Sequence, residues 1–365
     1  MVKKKEEVEV SVSDSNVDKA LKLINKQFGP GAMMTFNSAE VKQCDAISTG
    51  SISLDLATGV SGLPLGRFVE IFGPESSGKS TICLQVCAEA QKAGYTAAFL
   101  DLENAFDAKY AKALGIDLNK LLFSQPSSME EAFQMMEMLM TNKLVDVIIF
   151  DSIASGRTKA ELNGEIGDNF IGTQARIISQ ALKKLAPIAN EADCLCLFTN
   201  QIRMKIGVMF GNPETTPGGL AMQFYASIRM RIAGKGQVKE GDIITARDTE
   251  VKIIKNKVAP PFTTANFVIR FGKGIDKAEE VLDYAVKFGL LEKSGAWFKY
   301  NGENVAQGKE KALSWLKSNT DLMEEFTKKV KEFVKASFEQ MEDIPEIEDN
   351  ENIKFDPETG EILED

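Results

Sequence analysis

Gly73-Pro74-Glu75-Ser76-Ser77-Gly78-Lys79-Ser80-Thr81 matches the pattern G-x-x-x-x-G-K-[ST] and lies between a strand-like and a helix-like run. Glycines at both ends let the backbone wrap phosphate groups with its N–H donors, Lys79 supplies positive charge, and the Ser80 hydroxyl can ligate Mg²⁺. Upstream, Phe68-Val69-Glu70-Ile71-Phe72 is apolar enough for a buried strand. Downstream, Thr81 to Ala93 holds helix formers and meets a capping glycine at Gly94,. Lys79 therefore falls at a helix N-terminus, where the dipole favours anions. The stretch predicts a nucleotide triphosphatase.

At 365 residues and 44% hydrophobic content the chain can build one large α/β domain with appendages, or two domains,. No run of 18 apolar residues occurs, and Met1-Val2-Lys3-Lys4-Lys5-Glu6-Glu7 lacks the apolar segment of a secretory signal, so no membrane partner and a cytoplasmic location are expected,. Cys44, Cys83, Cys87, Cys194 and Cys196 are dispersed and read as reduced core residues. Cys83 and Cys87 stand one helical turn apart, but with no histidine in the chain and no second pair nearby they read as core rather than as metal ligands,. The lack of histidine excludes Ser-His-Asp and Cys-His hydrolysis.

The formal charge of −10 sits almost entirely in the tail, where residues 341–365 carry eleven acids against Lys354. The other 340 residues hold 42 basic and 42 acidic side chains, so the acidic balance says little about what the body binds,.

From the phosphate loop to about residue 275, apolar strand-like runs alternate with amphipathic helical stretches, the pattern of an α/β fold with a mostly parallel central sheet. Further strands are expected over Thr96–Asp101, Val145–Asp151, Cys194–Asn200 and Ser227–Ile232, with helices over Ser128–Met140 and Gln174–Asn190. Glu250–Lys255 and Asn266–Phe271 read as a later addition to the sheet, with antiparallel pairing an option. Val17–Gln27 forms a helix pattern stopped by Gly29-Pro30-Gly31,. After Gly274 a lysine-rich helical composition, with Glu279–Phe288 and Lys309–Lys317 flanking Gly295-Ala296-Trp297-Phe298, suggests a small α+β C-terminal domain. The expected division is an N-terminal arm and helix over 1–40, an ATPase core over 41–275, a C-terminal domain over 276–338 and a disordered acidic tail over 339–365.

Asp151 closes Val147-Ile148-Ile149-Phe150-Asp151, placing a carboxylate at the end of a buried strand. Alone, such an aspartate as readily begins a turn; beside a phosphate loop it reads as the acid that orients Mg²⁺ through water. Glu103 follows the strand ending at Asp101, where an acid can polarise the water attacking the γ-phosphorus. From spacing only, an exposed acid after a strand is an equal reading.

The phosphate loop, Gly164-Glu165-Ile166-Gly167-Asp168 and above all the run from Asn200-Gln201-Ile202-Arg203-Met204-Lys205 to Thr216 resemble the RecA recombinase family. The similarity runs from about Asp18 to Lys317 and includes Ser48-Thr49-Gly50-Ser51, Lys255-Asn256-Lys257 and Gly295-Ala296-Trp297. The resemblance implies an ATP- and Mg²⁺-using, DNA-dependent ATPase that forms helical filaments on single-stranded DNA and pairs it with homologous duplex DNA, in DNA repair and the SOS response. Glu103 would be the hydrolytic base, Asp107 and Tyr110 would contact adenine, and Gln201 would sense the γ-phosphate. Lys255 and Lys257 would reach a neighbouring subunit's phosphates, Phe271 would approach the adjacent nucleotide, and Phe224 with the N-terminal helix would join subunits. A hexameric helicase-type motor of the same superfamily, and a DNA-coating filament without strand exchange, are the rival readings.

Two loops, about Gly164–Ile171 and Met204–Gly219, resemble the family's DNA-binding loops. Backbone N–H groups with Arg176, Arg203 and Lys205 can hold phosphates without reading bases, while Ile171, Ile206 and Met209 can wedge between base steps. Glu165, Ser179, Met204, Gly218 and Gly219 belong to the same expected surface. From composition alone Met209 and Phe210 would rather pack on the core; the resemblance favours DNA. Departures from the family pattern fall at Asn104 and Phe170, where histidines are common, at Leu220 and Gln223, where basic residues are frequent, at Pro30 and Thr35 near the subunit contact, and at Glu250 in place of an arginine linked to repressor cleavage. Partners implied by the resemblance are single-strand-binding and loader proteins and a LexA-like repressor. The acidic tail reads either as a solubilising end or as a competitor with DNA for Lys287, Lys293, Lys299 and Lys309.

Overall fold

Val147–Asp151, Ala97–Asp101 and Phe68–Gly73 are buried along their whole length, as strands covered on both faces by helices must be,. In the computed structural model, which describes residues 14–35, 45–165, 168, 170, 172–204 and 213–342, they lie at the centre of a nine-stranded sheet. From one edge the strands run Gly274–Ile275, Thr264–Arg270, Ile243–Asn256, Ile228–Glu240, Phe68–Gly73, Leu195–Gln201, Val147–Asp151, Ala97–Asp101 and Leu122–Ser124. The six from Ile228–Glu240 to Leu122–Ser124 pair in parallel, and the remaining three pairings are antiparallel. The mostly parallel α/β sheet expected from the sequence is present. Glu250–Lys255 and Asn266–Phe271 lie within its antiparallel end.

Helix Lys79–Lys92 buries Ile82, Cys83, Val86, Cys87 and Ala90 against one face of the sheet. On the other face Met129–Thr141 and Thr173–Glu191 contribute Phe133, Met136, Ile178 and Leu182. Cys83, Cys87, Cys194 and Cys196 are free and buried; burial pushes the Cys87 thiol up to about 12. Cys44 lies outside the described residues.

Three differences from the sequence expectation bear on the fold's outline. Ile228–Glu240 is 13 residues long, twice the expected strand, because it continues as a hairpin with Ile243–Asn256 through Gly234, Lys235 and Gly236, a polar stretch with no apolar signature. Ala93 rather than Gly94 caps helix Lys79–Lys92, with Gly94 following at φ +88°. A 23-residue helix, Thr320–Glu342, had no counterpart in the sequence reading, and it carries the chain past the expected start of the tail at 339. Its buried Phe326, Val330 and Val334 recur every four residues, a sparse stripe on a highly charged helix,.

The chain divides into two compact units, Met1–Cys44 and Asp45–Asp365. In the first, helix Asp14–Phe28 ends where the Asn25 side chain both donates to and accepts from the Met33 backbone, each at 2.9 Å, and Leu23 and Phe28 are exposed. In the second, Lys277–Lys287, Lys309–Ser318 and Thr320–Glu342 pack with a three-stranded antiparallel sheet around their own cluster of Val281, Leu282, Phe298, Leu316 and Phe326. No described helix is long and apolar enough to cross a membrane.

Candidate active site

The phosphate loop leaves the sheet at Gly73 and enters helix Lys79–Lys92 through Gly78, whose φ of +104° is the left-handed conformation that side chains resist,. A Cβ at Gly78 would also stand 2.6 Å from Ile269 Cδ1, and one at Gly73 would stand 2.2 Å from the Ile232 carbonyl oxygen. Gly78 is thus fixed by packing as well as by the turn, and Gly73 by packing. The unpaired N–H groups of the helix's first turn make this an anion site.

Lys79 Nζ donates to the loop's own carbonyls, 3.2 Å from Gly73 O and 2.7 Å from Pro74 O. Burial lowers its pKa, opposed by the negative charges of Asp151 and Glu103. Ser77 Oγ is buried without a partner among the described residues, a polar atom aimed at nothing the protein supplies,. A phosphate oxygen would offer Lys79 an anionic partner in place of the loop's own carbonyls,.

Asp151, at the end of its strand, accepts from Ser80 Oγ at 2.9 Å and Thr199 Oγ1 at 2.5 Å. Burial pushes the Asp151 carboxyl up, and those two hydrogen bonds hold it down. Thr199 escaped the sequence reading; only the parallel pairing of adjacent strands sets its hydroxyl beside Asp151.

Asp101 accepts from the Ala105 and Phe106 N–H groups and from Gln125 Nε2, fixing the turn that carries exposed Glu103. Asn104, in that turn, has φ +55°. Gln201 Nε2 stands 3.4 Å from Glu103 Oε1, so the two residues named from resemblance as base and γ-phosphate sensor meet. Asp107 caps helix Ala108–Ala113 by accepting from Lys109 N and Tyr110 N, and Tyr110 OH lies 3.0 Å from Thr81 Oγ1.

One cleft of about 960 Å³ is lined from Glu75 to Thr81 and by Glu103, Asp107, Tyr110, Gln201, Arg247 and Phe271, with buried Asp151 behind it on Ser80. Arg247, unnoticed in the sequence, donates to Ser76 O at 2.6 Å. Phe271, expected at an adjacent nucleotide, lines the cleft of its own chain. Lys255 and Lys257 stand apart from it: Lys255 Nζ donates to Gln223 O and Phe224 O, and Lys257 Nζ to Phe224 O. Burial, then the charge of Lys257, lowers the Lys255 pKa to about 8. Phe224 is exposed beside them.

The two expected DNA loops share a base. Gly164 and Glu165 follow helix Lys159–Asn163, and Gly172 opens helix Thr173–Glu191, on which Arg176 and Ser179 are exposed. Arg203 and Met204 pair with Thr215 and Glu214, and Glu214 forms a two-pronged ion pair with Arg231. Gly218 and Gly219, both at positive φ, close against Ile178 and Ala175 of the helix that follows the first loop. Asn200 donates to Pro217 O and to buried Glu70, which Arg229 neutralises at 2.5 Å, tying the second loop's exit to the sheet. Ile171, Lys205, Ile206 and Met209 lie outside the described residues. Glu250 pairs with Lys235 and Lys252.

Residues 15–276 match the family model of the RecA N-terminal domain, and residues 279–335 that of the RecA C-terminal domain. Protein RecA of Teredinibacter turnerae is 51% identical over 304 residues, spanning 82% of this chain and 89% of the relative. Protein RecA of Marinobacter nauticus is 54% identical over 293 residues, 80% of this chain and 84% of the relative. The matches extend through the cleft, the bases of both loops and the C-terminal helices, well beyond the phosphate loop that many unrelated enzymes share, and the chain belongs to the RecA family.

Proposed function

We propose that the chain works as a DNA-dependent ATPase that forms helical filaments on single-stranded DNA and catalyses homologous pairing and strand exchange in recombinational repair, with the residue roles that follow. The observation that carries the roles is the meeting of Glu103 and Gln201 at the mouth of the phosphate cleft, two residues before Arg203 and the second loop.

The first-turn N–H groups, Lys79 and Ser77 bind the triphosphate, while Asp107 and Tyr110, which line the same cleft, contact the adenine,. Ser80 and Asp151 would hold Mg²⁺, Asp151 through water: their oxygens lie 2.9 Å apart and give the all-oxygen donor set that ion takes,. Bound there, Mg²⁺ supplies neutralisation of charge on the phosphate oxygens. Glu103 takes the proton of the attacking water as its oxygen bonds to the γ-phosphorus and the bond to the bridging oxygen breaks, releasing ADP and phosphate. Gln201, drawn to the γ-phosphate when ATP is present, leaves Glu103 and orders the second loop, so DNA grip follows the nucleotide.

Lys255 and Lys257 act on the nucleotide of a neighbouring subunit. Their mutual repulsion, which helps bring Lys255 to about 8, is relieved when a phosphate comes between them,. Phe224 and the exposed Leu23 and Phe28 provide apolar surface for assembly,. Arg176, Arg203 and Lys205 hold DNA phosphates, with Ile171, Ile206 and Met209 between bases. The functional division is arm, core, C-terminal domain and tail, and the protein acts in the cytoplasm with single-strand-binding and loader proteins and a LexA-like repressor. The tail competes with duplex DNA for the C-terminal lysines, a role eliminated if removing 340–365 leaves duplex affinity unchanged.

The deciding experiment is strand exchange with ATP, alongside Glu103→Gln. Hydrolysis accelerated by single-stranded DNA and pairing of homologous strands are expected, with Glu103→Gln binding ATP but not turning it over. A wild type that does neither refutes the function. Closed rings on DNA in electron microscopy would favour the helicase-type motor instead.

A further inference from the structure

Three separate contacts converge on the turn Ile153-Ala154-Ser155-Gly156, between the strand that ends at Asp151 and helix Lys159–Asn163. Ser155 Oγ donates to Glu103 Oε1 at 3.3 Å and lies 3.1 Å from Ser152 Oγ, whose residue is buried. Gln174 Nε2 donates to Ile153 O at 3.0 Å and to Gly156 O at 3.2 Å, so a single amide spans the turn from end to end. Gln174 is the second residue of helix Thr173–Glu191, which starts where the first loop ends. Gly218, at the exit of the second loop, packs so closely that an added Cβ would lie 2.6 Å from Ile178 Cδ1 and 3.1 Å from Ile153 Cγ2.

The turn is firmly seated. Ile153 N donates to Thr199 O at 3.0 Å, and a Cβ at Gly156 would stand 2.6 Å from Met129 Cγ and 3.1 Å from Leu102 Cδ2. Glu103, by contrast, is exposed, and its side-chain donors among the described residues, Gln201 and Ser155, both reach the same oxygen, Oε1. Oε2 has no donor among the described residues. When ATP draws Gln201 away, Ser155 becomes the remaining donor that aims the carboxylate.

We propose that Ser155 and Gln174 are positioning residues for hydrolysis: Ser155 orients Glu103, and Gln174 makes that orientation depend on the helix behind the first DNA loop. This route is separate from the one through Gln201 and the second loop, and it rests on the reading of Glu103 as the base. A general base must lie within hydrogen-bond reach of the water it deprotonates, and displacements of an ångström cost rate steeply. A shift of helix Thr173–Glu191 as DNA occupies the first loop is passed through the Gln174 amide to the Ser155 turn, and from there to Oε1.

The test is single-stranded-DNA-stimulated ATPase of the full chain, with ATP affinity measured in parallel by a fluorescent ATP analogue. Ser155→Ala is expected to lower kcat about tenfold, the worth of one hydrogen bond to a charged group, with KM and analogue affinity unchanged. Ser155→Thr, which keeps the hydroxyl, restores turnover. Gln174→Ala lowers the ratio of DNA-stimulated to DNA-free turnover, and the double variant is no slower than the more severe single one, because both act on one route. Wild-type kcat in both single variants, beside an inactive Glu103→Gln, overturns the proposal, as does additivity in the double variant. Should Glu103→Gln hydrolyse ATP normally, the reading of Glu103 itself falls. Should Ser155→Ala fail to fold, judged by circular dichroism, the Gln174→Ala ratio and the Ser155→Thr rate decide alone: an unchanged ratio, or a Thr variant as slow as Glu103→Gln, refutes the proposal.

Discussion

Glu280→Gln should make the protein more stable at alkaline pH while changing little at acid pH. Glu280 is 4% exposed on helix Lys277–Lys287. Its Oε1 accepts from Ser51 Oγ at 2.7 Å and Ser53 N at 3.0 Å, and Oε2 has no partner among the described residues. Burial is the main force raising its pKa from 4.5 to about 7, with the charge of neighbouring Asp55, itself raised to about 6, acting in the same sense. Tyr284 is the other titratable group beside it. The folded state therefore holds this proton more tightly than the unfolded chain. Its contribution is fully present below about pH 4.5 and is lost as pH rises through about 7, a loss of roughly 3 kcal/mol,. Glutamine keeps the acceptor facing Ser51 and Ser53 but cannot ionise. Urea unfolding followed by tryptophan fluorescence reports on this region directly, since Trp315, on helix Lys309–Ser318, packs against the cluster formed with helix Lys277–Lys287 and exposed Trp297 lies on the adjoining three-stranded sheet. The stability difference between variant and wild type should grow by roughly 3 kcal/mol from pH 4.5 to pH 8.5. A difference that stays constant across that range refutes a buried, proton-retaining Glu280.

Lys79→Ala should weaken ATP binding at least about tenfold in calorimetric titration, having lost a charge-assisted phosphate contact; undiminished affinity would contradict the cleft assignment. Lys255→Ala combined with Lys257→Ala should leave nucleotide binding by the unassembled chain intact while DNA-dependent turnover falls on the order of 10³-fold, the effect of removing a cation supplied in trans. Equal losses in both measurements would place the lysines in their own chain's site. Arg203→Ala should reduce the slope of log affinity for single-stranded DNA against log salt by about 1, without changing sequence preference. An unaltered slope means that Arg203 does not touch phosphate.

The phosphate loop was legible because its chemistry is local: glycine conformations, a helix N-terminus and a cation fit within nine consecutive residues. The parallel strands were legible because burial on both faces leaves continuous apolar runs. The hairpin beyond Ile232 and helix Thr320–Glu342 were not, since the first is polar and glycine-containing and the second buries only Phe326, Val330 and Val334 among its described side chains. Asp151 and Glu103 stood out only as acids at strand ends, each with an equally plain alternative. What the sequence alone determined, then, is a triphosphate site on a mostly parallel α/β sheet, since both follow from residues close together in the chain. Tertiary structure decided which distant side chains share the cleft. Parallel pairing sets Thr199 against Asp151 and Gln201 near Glu103, and the long hairpin brings Arg247 to Ser76. No local pattern encodes those meetings, because residues far apart in the chain are brought together by strand register and by the packing of the faces between them.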